Sequence, residues 1–291
     1  MTRVETEEPI CGIDHLLIAV NDLDLAAATY RRLGFTLSPR ALHSAHMGTA
    51  NHTIMLEGDY LELLGVLAPT RANARWRAAL QDGNGLAGFA AAIPNAATVG
   101  AAWRQAGFSS SDAISFSRPV ERRGGIRTEA RFEVVTLPAD TVPAMSIFAC
   151  AHLTRDAVWL PELLNHANSA RAIRKLSIAA PDPQLVADHW SRALPGATRA
   201  PIAGGAQLRI GSHLIDFVDP ASAVAGHALA AGSDRAKAFA IELEVADIVA
   251  CREALRQGGL SPEQRGDLLL IGPEHACGVG IAFAPAGTHR A

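Results

Sequence analysis

Residues 12–66 of the chain read GIDHLLIAVNDLDLAAATYRRLGFTLSPRALHSAHMGTANHTIMLEGDYLELLGV, and this stretch decides the predicted fold. Ile13–Val20 is a run of mostly branched apolar residues, which is typical of a buried strand. An Asn-Asp pair suited to a helix N-cap comes next, and apolar residues then recur at helical spacing. Extended runs follow at residues 35–37, 51–56 and 60–66. The stretch is therefore predicted to form a β-α-β-β-β unit.

The same plan recurs three times further along the chain. Each repeat opens with an apolar run, continues with a polar turn and a helical segment, and closes with extended runs. A loop at Pro69–Gly85 separates the first two repeats. A lone unit would leave a half-buried sheet with open edges, so the units are expected to pair. The four predicted modules cover residues 12–66, 86–152, 172–220 and 237–287.

The predicted fold class is α+β, with four βαβββ modules paired into two open β-cups and the helices outside. The first cup spans residues 12–152 and the second spans residues 172–287. The bridging segment 153–171 contains Trp159 and several leucines. A passive linker would be more polar, so we expect this segment to pack across the mouth of a cup. The sequence RRGG at residues 122–125 is expected to form a solvated hairpin tip.

Composition excludes several classes of function. Hydrophobic residues make up 49% of the 291 residues, so a large core can form. The net charge of −3, without a basic stripe, argues against nucleic acid, and no apolar run is long enough to span a membrane. The acid-rich N-terminus does not resemble a signal peptide, and the four cysteines lie far apart. We therefore expect a cytoplasmic protein with a small-molecule ligand, and exposed sheet edges would allow a homo-oligomer.

The opening IDHLLIAVNDLD, the GTAN turn and the YLELL run resemble glyoxalase-like domain proteins of the vicinal oxygen chelate superfamily. This superfamily includes glyoxalases, bleomycin-resistance proteins and extradiol dioxygenases. The resemblance implies a divalent metal inside a cup, held by His or Gln and Glu on the first and last strands of the paired modules. His15 and Glu62 match those positions in the first module. Glu62 is also the candidate catalytic base.

The residue types agree with this implication. A histidine and a carboxylate inside otherwise apolar strands need partners, because an unpaired buried charge costs several kcal/mol. Mixed nitrogen and oxygen ligation suits Fe, Zn, Mn or Ni. The alternative is that His15 is a core histidine, bonded to the backbone or to Glu62 itself.

The other modules do not repeat these ligands. In the second module Gly88 aligns with His15, and Ser146, or Phe148 in a shifted register, aligns with Glu62. The third module offers Lys175 and Asp216, which could form a buried ion pair or bind an anionic ligand. The fourth module offers only small apolar residues. No cup is therefore expected to hold a full set of four ligands.

His152 could supply a third ligand. It has the strand parity of Cys150, so an extended strand would aim it into the cup. His15, Glu62 and His152 would then form a two-histidine, one-carboxylate metal site with open positions for a substrate and O2. The alternative is that His152 only anchors the bridging segment by hydrogen bonds.

The stretch His43–His52 is predicted to be a loop at the rim of the cup. His46 and Asn51 are candidate substrate-binding residues there, with a solvated turn as the alternative. Tyr60 shares a strand face with Glu62, and it could bind the substrate or simply pack.

These features suggest a metal-dependent enzyme, of the lyase, isomerase or dioxygenase type, that acts on a small oxygenated organic molecule. The alternative is a metal-free protein that binds or sequesters a small molecule. The incomplete ligand set favours that alternative.

Overall fold

The computed structural model describes residues 8–122, 126–227 and 234–287. Two curled sheets of eight strands each, with helices beside them, make up the described part. The first sheet contains β1 (Gly12–Val20), β2 (Ala41–Leu42), β3 (Thr49–Met55), β4 (Tyr60–Val66), β5 (Gly85–Ala92), β6 (Ile114–Arg122), β7 (Ile126–Thr136) and β8 (Ser146–His152). The second contains β9 (Ala170–Ala179), β10 (Thr198–Ile202), β11 (Gly205–Ile210), β12 (His213–Val218), β13 (Lys237–Val245), β14 (Glu263–Arg265), β15 (Leu268–Ile271) and β16 (Gly280–Pro285). The helices are α1 (Leu23–Arg32), α2 (Ala74–Ala79), α3 (Ala96–Gln105), α4 (Pro183–Ala193), α5 (Pro220–His227) and α6 (Ile248–Gln257).

The strand order shows how the modules pair. The first sheet runs β2-β3-β4-β1-β5-β8-β7-β6, and the second runs β10-β11-β12-β9-β13-β16-β15-β14. In each sheet the first strands of two modules pair antiparallel at the centre, and each also pairs in parallel with the last strand of its own module. The predicted α+β fold of paired cups is confirmed.

Each module's helix begins at the predicted polar turn. The side chains of the four N-cap residues accept hydrogen bonds from backbone N–H groups in the first turn of α1, α3, α4 and α6. Such caps satisfy donors that a helix N-terminus otherwise leaves unpaired. The four residues are Asp22, Asn95, Asp182 and Asp247.

Two local predictions differ from the structure. The run at 35–37 forms no ladder; the second strand of this module is the two-residue β2 instead. Pro39 interrupts the extended segment, since proline cannot donate to a sheet. The predicted loop Pro69–Gly85 contains helix α2, whose Trp76 is buried. Of the predicted hairpin tip at 122–125, residues 123–125 lie outside the described residues.

A β-bulge occurs at the same place in the first strand of every module. The extra residue opposite its partner strand is Asp14 in β1, Ala87 in β5, Arg174 in β9 and Phe239 in β13. A bulge puts one additional residue into a strand and resets its alternation between faces.

The bulge explains how β1 serves both faces of its sheet. Ile13, Leu16 and Ile18 belong to the main apolar core. Leu17 belongs to a separate cluster on the cup side, and His15 lies on that side as well. The strand thus places two consecutive polar residues, Asp14 and His15, inside the cup.

One apolar core joins the outer faces of both sheets with helices α1, α3, α4 and α6. The two cups therefore stand back to back. Buried indoles link the two cups: Trp103 Nε1 of α3 donates to the Ala193 carbonyl of α4 at 2.7 Å, and Trp190 Nε1 of α4 donates to the Pro143 carbonyl, in the segment before β8, at 3.0 Å. None of the helices in the described ranges is long and apolar enough to cross a membrane.

A second link between the cups lies beside the bulge of β1. The Ile13 N–H donates to Nδ1 of His213 at 3.2 Å, and Nε2 of His213 lies 3.1 Å from Oδ2 of Asp59. The Asp59 carboxylate also accepts from the Ile173 N–H at 3.0 Å. The entry of the chain into β1 is therefore held by a buried histidine of the second cup.

The N-cap at Asp22 is expected to contribute measurably to stability. Asp22→Ala removes the acceptor for the Leu25 N–H and should lower the free energy of unfolding by about 1 kcal/mol. Asp24→Ala is the matched control, because that carboxylate is exposed and makes only a surface pair with Arg40. Urea unfolding followed by circular dichroism measures both. Equal losses in the two variants would contradict the capping role.

Candidate functional site

His15 and Glu62 face each other inside the first cup. Strands β1 and β4 are parallel neighbours, with His15 opposite Tyr60 and Leu17 opposite Glu62. Both polar side chains are buried, and His15 Nε2 lies 3.5 Å from Glu62 Oε2. The two predicted ligands of the first module are thus adjacent and shielded from water.

Asp14 fixes the orientation of two histidines. Its Oδ1 lies 2.6 Å from Nδ1 of His15 and 3.1 Å from Nε2 of His152. Burial raises the pKa of Asp14, but the hydrogen bonds and charges of the two imidazoles together lower it from 3.8 to about 2. Asp14 is therefore an anion at neutral pH and accepts from both rings.

Aromatic rings hold the His15 imidazole in place. Tyr60 stacks on it with the ring centroids 4.4 Å apart, and Phe148 meets it edge to face at 5.3 Å. Burial is the main cause that raises the pKa of Tyr60 well above its usual value, so its hydroxyl keeps its proton. The role predicted for Tyr60 in substrate binding stays a prediction; its stacking on His15 is a positioning contact.

The rim loop reaches Glu62 through residues on both sides of its turn. Asn51 Nδ2 donates to Glu62 Oε1 at 2.7 Å, and His43 Nε2 lies 3.9 Å from the same oxygen. Nδ1 of His43 is in turn 2.7 Å from the Thr49 hydroxyl. His46, predicted to bind substrate, is exposed on the turn. The loop residue that approaches the carboxylate is therefore His43.

His152 lies beside Asp14 rather than beside Glu62. Within the ranges that the structure describes, His15, Glu62 and His152 do not form a group with ligand atoms all within 4.8 Å of one another. The group that does so is Asp14, Cys150 and His152.

The bridging segment packs over this part of the cup. The centroid of the Trp159 ring lies 4.9 Å from that of His152 and 5.8 Å from that of Tyr60. Its Nε1 donates a hydrogen bond to the Leu56 carbonyl at 2.8 Å. Val158 belongs to the same apolar cluster as Tyr60 and Cys150. The segment thereby covers one end of the predicted site.

The second module fills its half of the cup with apolar groups. The register places Gly88 opposite Ser146 and Ala90 opposite Phe148, so Phe148 is the counterpart of Glu62. A Cβ at Gly88 would lie 3.0 Å from the Trp76 ring. The indole of α2 thus occupies the space that a histidine at position 88, the counterpart of His15, would need. The rings of Trp76 and Phe148 also meet edge to face, with their centroids 6.5 Å apart.

The second cup holds a charge-balanced cluster at the equivalent positions. Lys175 Nζ lies 3.5 Å from Asp216 Oδ2 and 3.2 Å from Glu242 Oε2, and Arg174 Nε lies 3.8 Å from Glu242 Oε1. Burial lowers the pKa of Lys175, but the two carboxylates raise it further, so the net shift is upward. The predicted Lys175–Asp216 ion pair is confirmed, with Glu242 as an additional partner.

Comparisons with known proteins agree with this architecture. A sequence profile described as a glyoxalase-like domain matches residues 13–194, which is more than half of the chain. The chain belongs to the glyoxalase-like domain family. The resemblance predicted from the opening stretch, to the vicinal oxygen chelate superfamily, is confirmed. No curated protein matches this glyoxalase-like chain in sequence.

Solved structures share the fold at low sequence identity. A hypothetical protein from Staphylococcus aureus has a TM-score of 0.67 at 12% identity, over 94% of this chain and 98% of that one. A mutant of 4-hydroxymandelate synthase from Streptomyces coelicolor has a TM-score of 0.58 at 14% identity, over 97% and 94%. A xylose isomerase-like TIM barrel/4-hydroxyphenylpyruvate dioxygenase fusion protein has a TM-score of 0.60 at 12% identity, over 98% of this chain and 50% of that one.

The geometry of this glyoxalase-like cup fits two ligand positions of a divalent ion. The anionic Asp14 accepts from His15 Nδ1, and Nε2 on the other side of the ring faces the Glu62 carboxylate. Their 3.5 Å separation exceeds a charge-assisted hydrogen bond. Two ligands on one tetrahedral ion lie about 3.3–3.6 Å apart, given metal–ligand bonds of about 2.0–2.2 Å. A carboxylate behind a ligating histidine is also the common arrangement around bound metals.

The Asp14 carboxylate is expected to support stability over a defined pH range. Asp14→Asn removes the anion between two imidazoles and should cost on the order of 2 kcal/mol at pH 7. The folded-state pKa of Asp14 is lowered from 3.8 to about 2, so its contribution is complete above pH 3.8 and is lost as the pH falls toward 2. Urea unfolding at several pH values should show the difference between wild type and variant shrinking across that interval. Exposed Asp24→Asn is the control, and a gap that does not depend on pH would contradict the assignment.

The charge cluster of the second cup is expected to be structural. Lys175→Met leaves Asp216 and Glu242 without their shared cation and should lower the free energy of unfolding by on the order of 3 kcal/mol. Lys237→Met at an exposed position is the control. Urea unfolding measures both, and an unchanged midpoint for Lys175→Met would show that the cluster carries no stability.

Proposed function

We propose that the chain is a metal-dependent enzyme that acts on a small oxygenated organic molecule in the first cup. The observation that carries this proposal is the pair His15 Nε2 and Glu62 Oε2, buried and 3.5 Å apart, with the other nitrogen of His15 held by Asp14. Glyoxalase-like membership and the likeness in fold to a 4-hydroxymandelate synthase support the same class of protein.

The surrounding residues have assigned roles in this proposal. Asp14 keeps the proton of His15 on Nδ1, so that Nε2 is free to ligate. Tyr60 restrains the plane of that ring by stacking. Asn51 holds Oε1 of Glu62 and leaves Oε2 directed at His15. The pair therefore needs little reorganisation to accept an ion.

The chemistry depends on what the cup admits. A bound divalent ion would act as a Lewis acid toward substrate oxygen atoms. The apolar wall of Trp76, Phe148 and Leu64 suits the hydrocarbon part of a substrate and excludes water. Glu62 is the candidate base for a lyase or isomerase reaction, whereas a dioxygenase reaction would use open metal positions. His43 is close enough to Glu62 to join either arrangement.

Metal content tests the proposal. Protein purified without chelators, and then reconstituted with Fe, Zn, Mn or Ni in separate samples, should bind one ion through His15 and Glu62. Glu62→Gln keeps the size and the Asn51 contact but removes the charge, so we expect metal affinity to fall at least about tenfold. Inductively coupled plasma mass spectrometry after dialysis measures the bound metal.

Glu57→Gln is the matched control, because Glu57 is exposed and pairs only at the surface with Arg171. It should leave metal content unchanged. A wild-type protein that stays free of metal after reconstitution would overturn the proposal. Equal metal content in the wild type and in Glu62→Gln would exclude Glu62 as a ligand.

A second candidate function is a metal-free binding protein for a small aromatic or apolar molecule. Trp76 and Phe148 fill the other half of the cup with apolar groups, at the places that correspond to His15 and Glu62, and this favours the second candidate. Catechol, which has two adjacent oxygens on an apolar ring, separates the two functions in calorimetric titrations. Binding that needs metal supports the enzyme, and equal binding to metal-free protein supports the alternative.

A further inference from the structure

A second group of potential ligands lies behind the His15–Glu62 pair. Asp14 on β1 and Cys150 and His152 on β8 offer ligand atoms that all lie within 4.8 Å of one another. All three side chains are buried or nearly so. Carboxylate, thiolate and imidazole are the three ligand types that zinc sites in proteins combine.

The spacing of this group suits a single ion. Ligands of a tetrahedral zinc ion lie about 3.3–3.5 Å apart, given bonds of about 2.0–2.3 Å. Asp14 Oδ1 and His152 Nε2 lie 3.1 Å apart, and the ligand atoms of the whole group lie within 4.8 Å of one another, so side-chain adjustment would close the group around an ion. A carboxylate has two oxygens and several lone pairs, so Asp14 can keep its bond to His15 while it ligates.

An unsatisfied buried nitrogen points to an ion at this place. Nδ1 of His152 is buried without a hydrogen-bond partner among the described residues. The ring stands edge to face against Phe132, Trp159 and Tyr60. Aromatic faces are negative and receive N–H groups better than lone pairs. In the metal-free protein Nε2–H donates to Asp14 and leaves the Nδ1 lone pair against these rings; an ion ligated by Nε2 would place the proton on Nδ1 instead, where the aromatic faces receive it.

The cysteine decides what kind of cation fits. The Cys150 thiol is buried within the same group as the Asp14 carboxylate. A coordinating divalent ion deprotonates a thiol outright, and thiolate is a ligand type that zinc accepts. An open cavity of about 490 Å³ beside the bridging segment is lined by His152, Thr154 and Arg155 among others.

We propose that Asp14, Cys150 and His152 form a thiolate-containing zinc site, separate from the His15–Glu62 pair. It would tie β1 of the first module to β8 of the second module. It would also hold Asp14, and through it the imidazole of His15. This site does not depend on whether the first cup is an enzyme.

Cobalt substitution tests the site directly, because Co²⁺ replaces Zn²⁺ and shows a near-ultraviolet charge-transfer band only when a thiolate is bound. Protein is expressed in minimal medium with Co²⁺, so that the ion enters while the chain folds. Wild type should show the band, and Cys150→Ser should lose it. Cys11→Ser, which removes an exposed thiol, should retain it.

Glu62→Gln separates this proposal from the proposed function. The band should persist in Glu62→Gln even where the first metal site is lost. Loss of the band in that variant would make the two sites one and overturn the proposal. So would a cobalt-grown wild type without the band, or a Cys150→Ser variant that keeps it. X-ray absorption at the cobalt edge of the wild type reports sulfur ligation without any variant, and its absence would also overturn the site.

Discussion

The carboxylate of Asp14, shared by two imidazoles inside an apolar cup, is the interaction on which the rest of the site depends. It holds Nδ1 of His15 and thereby directs Nε2 at Glu62. It also draws His152 from the far module to the first strand. A buried carboxylate with fewer partners would be neutral or absent, because an uncompensated charge in such surroundings is too costly.

The second cup supports this arrangement from outside. His213 accepts a hydrogen bond from the Ile13 N–H, and its Nε2 lies 3.1 Å from Oδ2 of Asp59. The backbone that leads into the bulge is therefore fixed by a residue 200 positions further along the chain. The third module fills its own ligand positions with Lys175 and Asp216, a balanced pair that needs no bound ion. The first cup thus holds the candidate site, and the second cup helps to fix its first strand.

The sequence predicted the fold well, because four repeats with a polar N-cap after an apolar strand leave few alternatives. It also predicted that His15 and Glu62 face each other, since parallel neighbours put them two residues out of register on one face. It missed Asp14, because strict alternation assigns that position to the core, and only a bulge, invisible in the pattern, turns it inward. A carboxylate next to His15 in an apolar run was nevertheless a signal that could have drawn attention to Asp14. Trp76 was missed because its six-residue helix lies within a stretch predicted to be a loop.

The bulge recurs in all four modules, and in the first and third it brings two consecutive polar residues to the cup, Asp14–His15 and Arg174–Lys175. The bulge itself does not depend on polar side chains, because it also occurs at Ala87 and Phe239. Evolution, or a protein engineer, could install adjacent ligands at the fourth module, at Phe239 and Ala240, without altering the strand path. The bulge of the fourth module therefore offers backbone positions at which ligand side chains could be introduced.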